Sequence, residues 1–298
     1  MRPLILTVLG SVLTAVAGAQ SPATQPLQAE LKSAFIRSVE EATAGVDGVA
    51  GWIVTDLTTK EVVTARNERQ QFPTASTIKL SILYELLKQA QSGTIALDTR
   101  VPLDRAQVVG GSGVLQHLTT PALSLRDHAA LMIILSDNTA TNVVIDAVGM
   151  DRVNQRMATL DLGDIMLRRK MMDAAAAARG DENVASPASL AAMAERLWRG
   201  DGLTAESRTA ALRILRLVSG QIRSAVPGSV PVFEKTGSLT GVRAEAAVVA
   251  VTGRPFSIAV MTTYLARDDV GNRVIRDIAS AAHGYFDRLA KGGAWGRR

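Results

Sequence analysis

Three short groups of residues carry side chains that could together perform acyl transfer. Ser76 is followed three positions later by Lys79, which places a hydroxyl and an amine on one face of a helix. Further along the chain come Ser136-Asp137-Asn138 and then Lys235-Thr236-Gly237. A serine activated by a nearby base attacks a carbonyl carbon, a second hydroxyl relays the proton, and a cation anchors an anionic substrate. The pattern therefore predicts nucleophilic catalysis through a serine ester.

The spacing of Ser76 and Lys79 is selective because lysine is rare in this chain. Only 7 of the 298 residues are lysine, and only Lys79 follows a serine at this spacing. An apolar run predicts a helix over 75–91, with Ser76 in its electropositive first turn. Burial in such a helix lowers the pKa of Lys79, so that a neutral amine can accept the serine proton. The alternative is a capping serine with a lysine that reaches solvent.

Ser136 and Asn138 are predicted to lie in a tight turn between two helices. A capping-box pattern and an apolar run mark 124–135 as one helix, and 139–149 follows as the next. The turn leaves both side chains free to face a cleft, whereas Asp137 is assigned to backbone donors that need a partner. The alternative is a plain N-cap cluster, because all three residue types are preferred there.

Lys235 and Thr236 are predicted at the end of a strand over 230–237, because apolar and polar residues alternate up to that point. The remaining elements are a hairpin over 244–252 and 256–264, strands over 49–55 and 61–65, terminal helices over 28–45 and 270–289, and a largely helical middle over 77–225 that includes Pro187–Arg199. Together they indicate an α+β (two-domain α/β) protein.

Composition narrows the possible functions. The chain has no cysteine, which excludes disulfides and thiolate chemistry. His117, His128 and His283 are too scattered for a zinc site, so we expect no metal and no cofactor. The net charge is +5, but the basic residues are dispersed and aromatic residues make up only 4%. We therefore expect a small-molecule substrate, no nucleic acid and a monomer.

The N-terminus has the features of an export signal. Arg2 precedes an apolar run over 4–17, and the small residues of 17–19 resemble a cleavage site. Residues 1–19 are predicted to be a signal peptide and 20–27 a linker, with the catalytic unit over 28–298. The expected location is periplasmic or secreted, with no membrane span after cleavage. The apolar run is short for a membrane span, but its length is borderline, so an uncleaved anchor is the alternative.

With these motifs, the chain resembles the penicillin-recognising serine hydrolases, and most closely the class A β-lactamases. The resemblance extends over nearly the whole chain that follows the signal, including 111–115. It implies an antiparallel sheet flanked by the terminal helices and an inserted all-helical domain. The sheet domain would comprise 28–75 and 226–298, and the helical domain 76–225.

The resemblance also implies a role for each site residue. Ser76 would be the nucleophile, Lys79 its base, and Ser136 the donor of a proton to the leaving nitrogen. Asn138 would contact the side-chain amide of the substrate. Lys235 and Thr236 would bind its carboxylate, with Arg243 as a second carboxylate contact. The N–H groups of Ser76 and Ser238 would form the oxyanion hole.

One part of the family pattern is missing. The family carries a Glu-x-x-Leu-Asn segment after the second motif, and its glutamate activates the water that hydrolyses the acyl-enzyme. The corresponding stretch here, 167–175, has no glutamate, and Asp173 is the nearest carboxylate and the candidate base. We therefore expect a β-lactam hydrolase with slow deacylation. The alternatives are a D-Ala-D-Ala peptidase or esterase, and a non-catalytic binder of β-lactams or peptidoglycan.

Overall fold

The computed structural model describes residues 25–119, 122–293 and 296–297, so the predicted signal peptide and most of the linker lie outside the described residues. The helices are α1 Gln25–Thr43, α2 Lys79–Gln91, α3 Leu125–Ile134, α4 Asn138–Val148, α5 Met150–Thr159, α6 Ala174–Ala178, α7 Pro187–Arg199, α8 Ala205–Leu215, α9 Gln221–Ser224 and α10 Asp268–Lys291. The strands are β1 Val49–Asp56, β2 Val62–Arg66, β3 Phe72–Pro73, β4 Arg100–Pro102, β5 Ala122–Ser124, β6 Val184–Ala185, β7 Val232–Leu239, β8 Val242–Val249 and β9 Phe256–Thr263.

Five strands form one antiparallel sheet in the order β2-β1-β9-β8-β7. The central strands β8 and β9 are buried almost throughout, because helices cover both faces of the sheet. α10 lies on one face with α1 packed against it, and α7 lies against the sheet as well, in contact with β1, β8 and β9. Strands covered on both faces read as continuous apolar runs, as the sequence of β9 does.

Two clusters of buried side chains stabilise the protein. One joins the sheet to the terminal helices and includes Val39, Phe256 and Phe286. The other fills the helical region between α2, α3, α4 and α7, and includes Ile78 and Met132. The α+β prediction is therefore confirmed. Between β2 and β7 the described residues form helices and loops, with two short strand pairs, β3 with β6 and β4 with β5.

Most predicted elements agree with the structure to within a few residues. Pro187–Arg199 forms α7 with Ser186 as its N-cap and the left-handed Gly200 after it, as predicted. The capping box at the start of α3 is also present. α1 begins at Gln25, so the last three residues of the predicted linker are helical. Over the described residues, no helix combines the length and hydrophobicity needed to cross a membrane.

Candidate active site

Ser76 lies in a 3-10 turn, Ala75–Ile78, that leads directly into α2. Ala75 has a φ of 46°, a left-handed backbone that is uncommon for a residue with a side chain. The carbonyl oxygen of Asn183 accepts hydrogen bonds from the N–H and the hydroxyl of Thr74, at 2.9 and 3.0 Å. Such strain persists only where surrounding contacts enforce it. The contacts around Thr74 therefore fix the position of Ser76.

The end of β7 packs against this turn, and the close approach requires glycine at position 237. A Cβ on Gly237 would lie 2.6 Å from the carbonyl oxygen of Thr74, 2.9 Å from the nitrogen of Ser76 and 3.0 Å from that of Thr77. The following residue, Ser238, lines the same cavity as Ser76. In the described part of the chain β7 is an edge strand, so the N–H groups on its outer side have no strand partner.

Lys79 is fully buried at the start of α2. Its Nζ donates to the Ser136 carbonyl oxygen at 2.7 Å, to Ser136 Oγ at 3.1 Å and to Asn138 Oδ1 at 3.2 Å. Among the described residues, Ser76 Oγ is not one of its hydrogen-bond partners. Burial, with a smaller contribution from the charge of Lys235, holds the pKa of Lys79 well below its usual range. The lowered pKa favours the neutral amine of Lys79, which begins α2 three positions after Ser76.

Ser136 lies between two amines, because Lys235 Nζ donates to its Oγ at 3.2 Å while Lys79 contacts it from the other side. Its backbone has a φ of 53°, again left-handed without being glycine. Lys235 is fully buried on β7 and also donates to the Thr236 carbonyl oxygen at 2.9 Å. Burial lowers the pKa of Lys235 to about 8. The hydroxyl of Ser136 can therefore exchange protons with either lysine.

Asp137 has the structural role that its sequence context indicates. Its carboxylate accepts hydrogen bonds from the N–H groups of Val114 at 2.6 Å, Leu115 at 2.8 Å and Ala140 at 2.8 Å. Gly113 is required opposite it, since a Cβ there would overlap the Asp137 side chain. These contacts join the loop before α3 to the N-terminus of α4 and fix the turn that carries Ser136.

A cavity of about 340 Å³ opens beside Ser76. Its lining includes the polar residues Ser76, Asn138 and Ser238. The loop before α6 and the start of that helix contribute an apolar wall, Met171, Met172, Ala174 and Ala177, together with Arg169 and Asp173. The cavity therefore combines polar groups with a surface suited to an apolar substituent.

Two buried asparagines fix the loop that forms the apolar wall. Asn142 accepts from the N–H of Met171 at 2.8 Å and donates to its carbonyl oxygen at 3.1 Å. Asn183 accepts from the N–H groups of Arg168 and Arg169, at 2.7 and 3.0 Å. These contacts hold the backbone of the loop, and Asn142 fixes the position of Met171, one of the residues that line the cavity.

Asp173 lines this cavity but its carboxylate has another partner. It is the N-cap of α6 and accepts a hydrogen bond from the N–H of Ala176 at 2.9 Å. The side chain is exposed, which is ordinary for a capping residue. No glutamate is among the described residues that line the cavity.

Arg243 does not join the other predicted site residues. Its guanidinium forms an ion pair with Asp268 at 2.8 Å and donates to Asn272 Oδ1 at 3.2 Å. It also donates to the carbonyl oxygens of Leu239 and Val242, at 2.8 and 2.7 Å. These contacts attach the β7–β8 hairpin to the start of α10. Four contacts to protein groups thus hold the guanidinium, and a second carboxylate contact from Arg243 stays a prediction.

Four buried polar residues that shape the site were not predicted from the sequence. Asn142 and Asn183 position the cavity wall, and no local pattern distinguishes them from other helix and loop asparagines. Glu234 and Glu245 lie on β7 and β8 next to Lys235 and Thr236, at 0% and 5% exposure. A sequence signal for this pair existed, because a carboxylate inside an apolar strand requires a buried partner.

This fold and this arrangement of serine and lysine define a serine acyl hydrolase of the penicillin-recognising class. A family model described as the Beta-lactamase enzyme family matches residues 31–286. The chain therefore belongs to that family and is a serine hydrolase of the β-lactamase type.

Solved structures agree with this assignment. A β-lactamase from Sphaerobacter thermophilus is 32% identical, with a TM-score of 0.76 over 84% of this chain and 95% of that one. PBP-A is 25% identical, with a TM-score of 0.78 over 86% of this chain and 97% of that one. An ancestral class A β-lactamase shares the fold at 24% identity, with a TM-score of 0.77 over 85% of this chain and all of that one.

Proposed function

We propose that this protein opens β-lactam rings through an acyl-enzyme formed on Ser76. Ser76 Oγ attacks the lactam carbonyl and its proton passes to the neutral Nζ of Lys79. The C–N bond of the ring then breaks, and Ser136 delivers a proton to the leaving nitrogen. The N–H groups of Ser76 and Ser238 stabilise the developing oxyanion.

Three further side chains hold the substrate in this proposal. Lys235 and Thr236 bind the carboxylate that β-lactams carry, and charge-assisted contacts of this kind are stronger than neutral ones. Asn138 contacts the side-chain amide. The apolar wall around Met171 receives the acyl substituent.

The position of Ser136 Oγ carries the proposal. It accepts hydrogen bonds from two buried lysines, at 3.1 and 3.2 Å, while its turn borders the cavity that Ser76 lines. A hydroxyl between two amines with lowered pKa values is suited to proton transfer.

Deacylation is proposed to be slow, because the cavity wall offers no glutamate to activate water. The wall residue that Asn142 positions is Met171, which cannot accept a proton. Asp173 is retained as a candidate base, although its carboxylate caps α6. General-base assistance is typically worth about 100- to 10,000-fold, so its absence would let the adduct accumulate.

The lack of a glutamate among the described residues that line the cavity also favours a second candidate. This is a peptidase-like or esterase-like acyl hydrolase that forms a long-lived acyl-enzyme with penicillin. A structure of a single-residue mutant of PBP-A is described as an acyl-enzyme complex with penicillin G, and it is 25% identical to this chain. The third candidate is a non-catalytic binder of β-lactams or peptidoglycan, in which Ser76 forms no covalent bond.

Intact-mass spectrometry during reaction with penicillin G and a chromogenic cephalosporin tests these candidates. We expect one adduct per chain on Ser76, no adduct in Ser76→Ala, and hydrolysis that follows an acylation burst. An adduct that never turns over would favour the peptidase-like enzyme. Reversible binding without an adduct would favour the binder, and labelling that survives in Ser76→Ala would refute the assignment of the nucleophile.

We also propose that the protein is exported to the periplasm or secreted and acts there as a monomer. Support comes from residues 1–19, whose pattern is that of a cleavable signal. Mass measurement of the mature chain from the periplasmic fraction would show whether cleavage follows Ala19.

A further inference from the structure

Two buried carboxylates lie behind the strand that carries Lys235, and the mechanism above does not use them. Glu234 and Thr236 share one face of β7, and Glu245 is the cross-strand partner of Thr236 on β8. Lys235 points to the other face, toward Ser136. The strand therefore separates a buried cation from a pair of buried acids.

A run of four consecutive backbone N–H groups anchors the carboxylates. Glu234 accepts from Gly220 at 2.5 Å and from Arg223 at 3.0 Å. Glu245 accepts from Gln221 and Ile222, each at 2.9 Å.

The two acids face each other across Gly220. A Cβ on Gly220 would lie 2.8 Å from Glu245 Oε2 and 2.9 Å from Glu234 Oε1. Carboxylates so close, and so deeply buried, do not both ionise easily. Burial raises the pKa of both carboxyls, and the charge of Glu245 adds to this effect on Glu234.

We propose that Glu234 and Glu245 are positioning residues for Lys235, holding it as an ammonium directed at Ser136 and at the substrate carboxylate. This inference rests on the proposed function. Burial disfavours the ammonium, and an ionised carboxylate of the pair opposes that effect, with Glu245 acting more strongly than Glu234. Because hydrogen bonds fix the carboxylates on the far face, they attract Lys235 without competing for its donors.

The other charged groups around this cluster act differently. On α2, the charge of Lys235 lowers the pKa of Lys79, while the charge of Asp137 raises it. Arg223 of α9 favours the ionised form of Glu234. Glu245 is therefore the group whose removal should change the charge of Lys235 most.

The experiment compares acylation of Ser76 by penicillin G with acylation by a neutral ester, from about pH 5.5 to 9. In the wild type, the preference for the carboxylate substrate should fall as Lys235 loses its proton near pH 8. In Glu245→Gln the pH at which the preference for penicillin G declines should be lower by about one unit, as expected for loss of one nearby charge. Acylation by the ester should keep its own profile.

Lys235→Arg is the matched control, because a guanidinium does not titrate in this range. Its preference for penicillin should be independent of pH, and adding Glu245→Gln should not restore any dependence. Equal losses for both substrates at every pH in Glu245→Gln would overturn the proposal and leave the pair a purely structural link to α9. The proposal would also be overturned if Glu245→Gln still shifted the pH dependence of the preference in the Lys235→Arg background.

A second measurement does not depend on activity. With 7 lysines in the chain, each side chain can be followed by NMR of ¹³C-labelled lysine, and Lys235→Arg assigns the relevant signal. The pKa of Lys235 should fall in Glu245→Gln, and in Glu234→Gln by a smaller amount. An unchanged pKa in both folded variants would refute the inference. Failure of any substrate to label wild-type Ser76 would instead refute the proposed function.

Discussion

At the scale of single residues, the two buried lysines differ in the charge state that their roles require. In the proposed mechanism, Lys79 must be neutral to accept the proton of Ser76, whereas Lys235 must be charged to bind a carboxylate. Burial lowers the pKa of both, but Glu234 and Glu245 oppose this only at Lys235. The same type of side chain can thus serve as a base and as an anion anchor a few ångströms apart.

The lowered pKa of Lys79 predicts the pH dependence of acylation. As the pH falls through that pKa, the amine becomes protonated and cannot act as a base, so acylation by a neutral ester should decline on the acid side. Lys79→Arg should reduce acylation by at least about 100-fold at every pH, because a guanidinium is never a base here. Single-turnover mass spectrometry measures both the pH profile of acylation and the acylation rate of Lys79→Arg. Acylation by Lys79→Arg at the wild-type rate would show that another group takes the proton.

Asp173 and Met171 offer a matched test of deacylation. Asp173→Asn removes a carboxylate but keeps a good N-cap for α6, so the lifetime of the acyl-enzyme should change less than about twofold. Met171→Glu places a carboxylate at the position that Asn142 holds against the cavity, and should shorten the lifetime by at least about tenfold.

The lifetime is read from the decay of the penicilloyl adduct after removal of excess penicillin G. Fast turnover that collapses in Asp173→Asn would identify Asp173 as the base. Fast turnover unchanged in that variant would point to another group, such as Lys79 acting a second time.

Among the elements, the contact of β7 with the turn of Ser76 is the most demanding. Gly237→Ala would push a Cβ into the backbone of Thr74, Ser76 and Thr77, where no side chain can move aside. We expect a loss of about 1–3 kcal/mol in the free energy of unfolding and slower acylation. Thermal unfolding and single-turnover kinetics measure the two effects.

Gly228→Ala is the control for this prediction. A Cβ at Gly228 meets nothing within 4 Å, and the backbone there is not left-handed. Its stability should stay equal or rise slightly, because alanine restricts the unfolded chain. If Gly237→Ala behaved like Gly228→Ala, the close approach of β7 would not be essential.

The elements also show how far sequence patterns reach. Boundaries set by local chemistry, such as the Ser186 cap and the Gly200 stop of α7, were predicted correctly. The turn at Ala75 was not, because its strain depends on contacts with Asn183, more than 100 positions away. The ion pair of Arg243 with Asp268 was not predicted for the same reason, since Asp268 lies on another element. Motifs identify which residues form the site, while contacts between distant parts of the chain determine the backbone conformation and hydrogen-bond partners of those residues.

For the whole molecule, the buried Glu234–Glu245 pair predicts a pH-dependent stability. A carboxyl whose pKa is raised by folding favours the native state at low pH, and this contribution is lost as the pH rises from about 4.3 through the raised pKa. His283, whose pKa burial lowers, acts in the opposite sense, because its contribution is present above the unfolded value and is lost as the pH falls. The pH dependence of the unfolding free energy of the wild type therefore contains both contributions.

The Glu234→Gln/Glu245→Gln double variant separates them, because it removes the titrating pair and keeps His283. Relative to this variant, the wild type should lose at least about 1.4 kcal/mol of unfolding free energy between about pH 5 and pH 8, the equivalent of one pKa unit. Urea unfolding at several pH values measures the difference. Parallel curves would mean that the pair keeps an ordinary pKa in the native state, and that the acids behind Lys235 are ionised throughout this range.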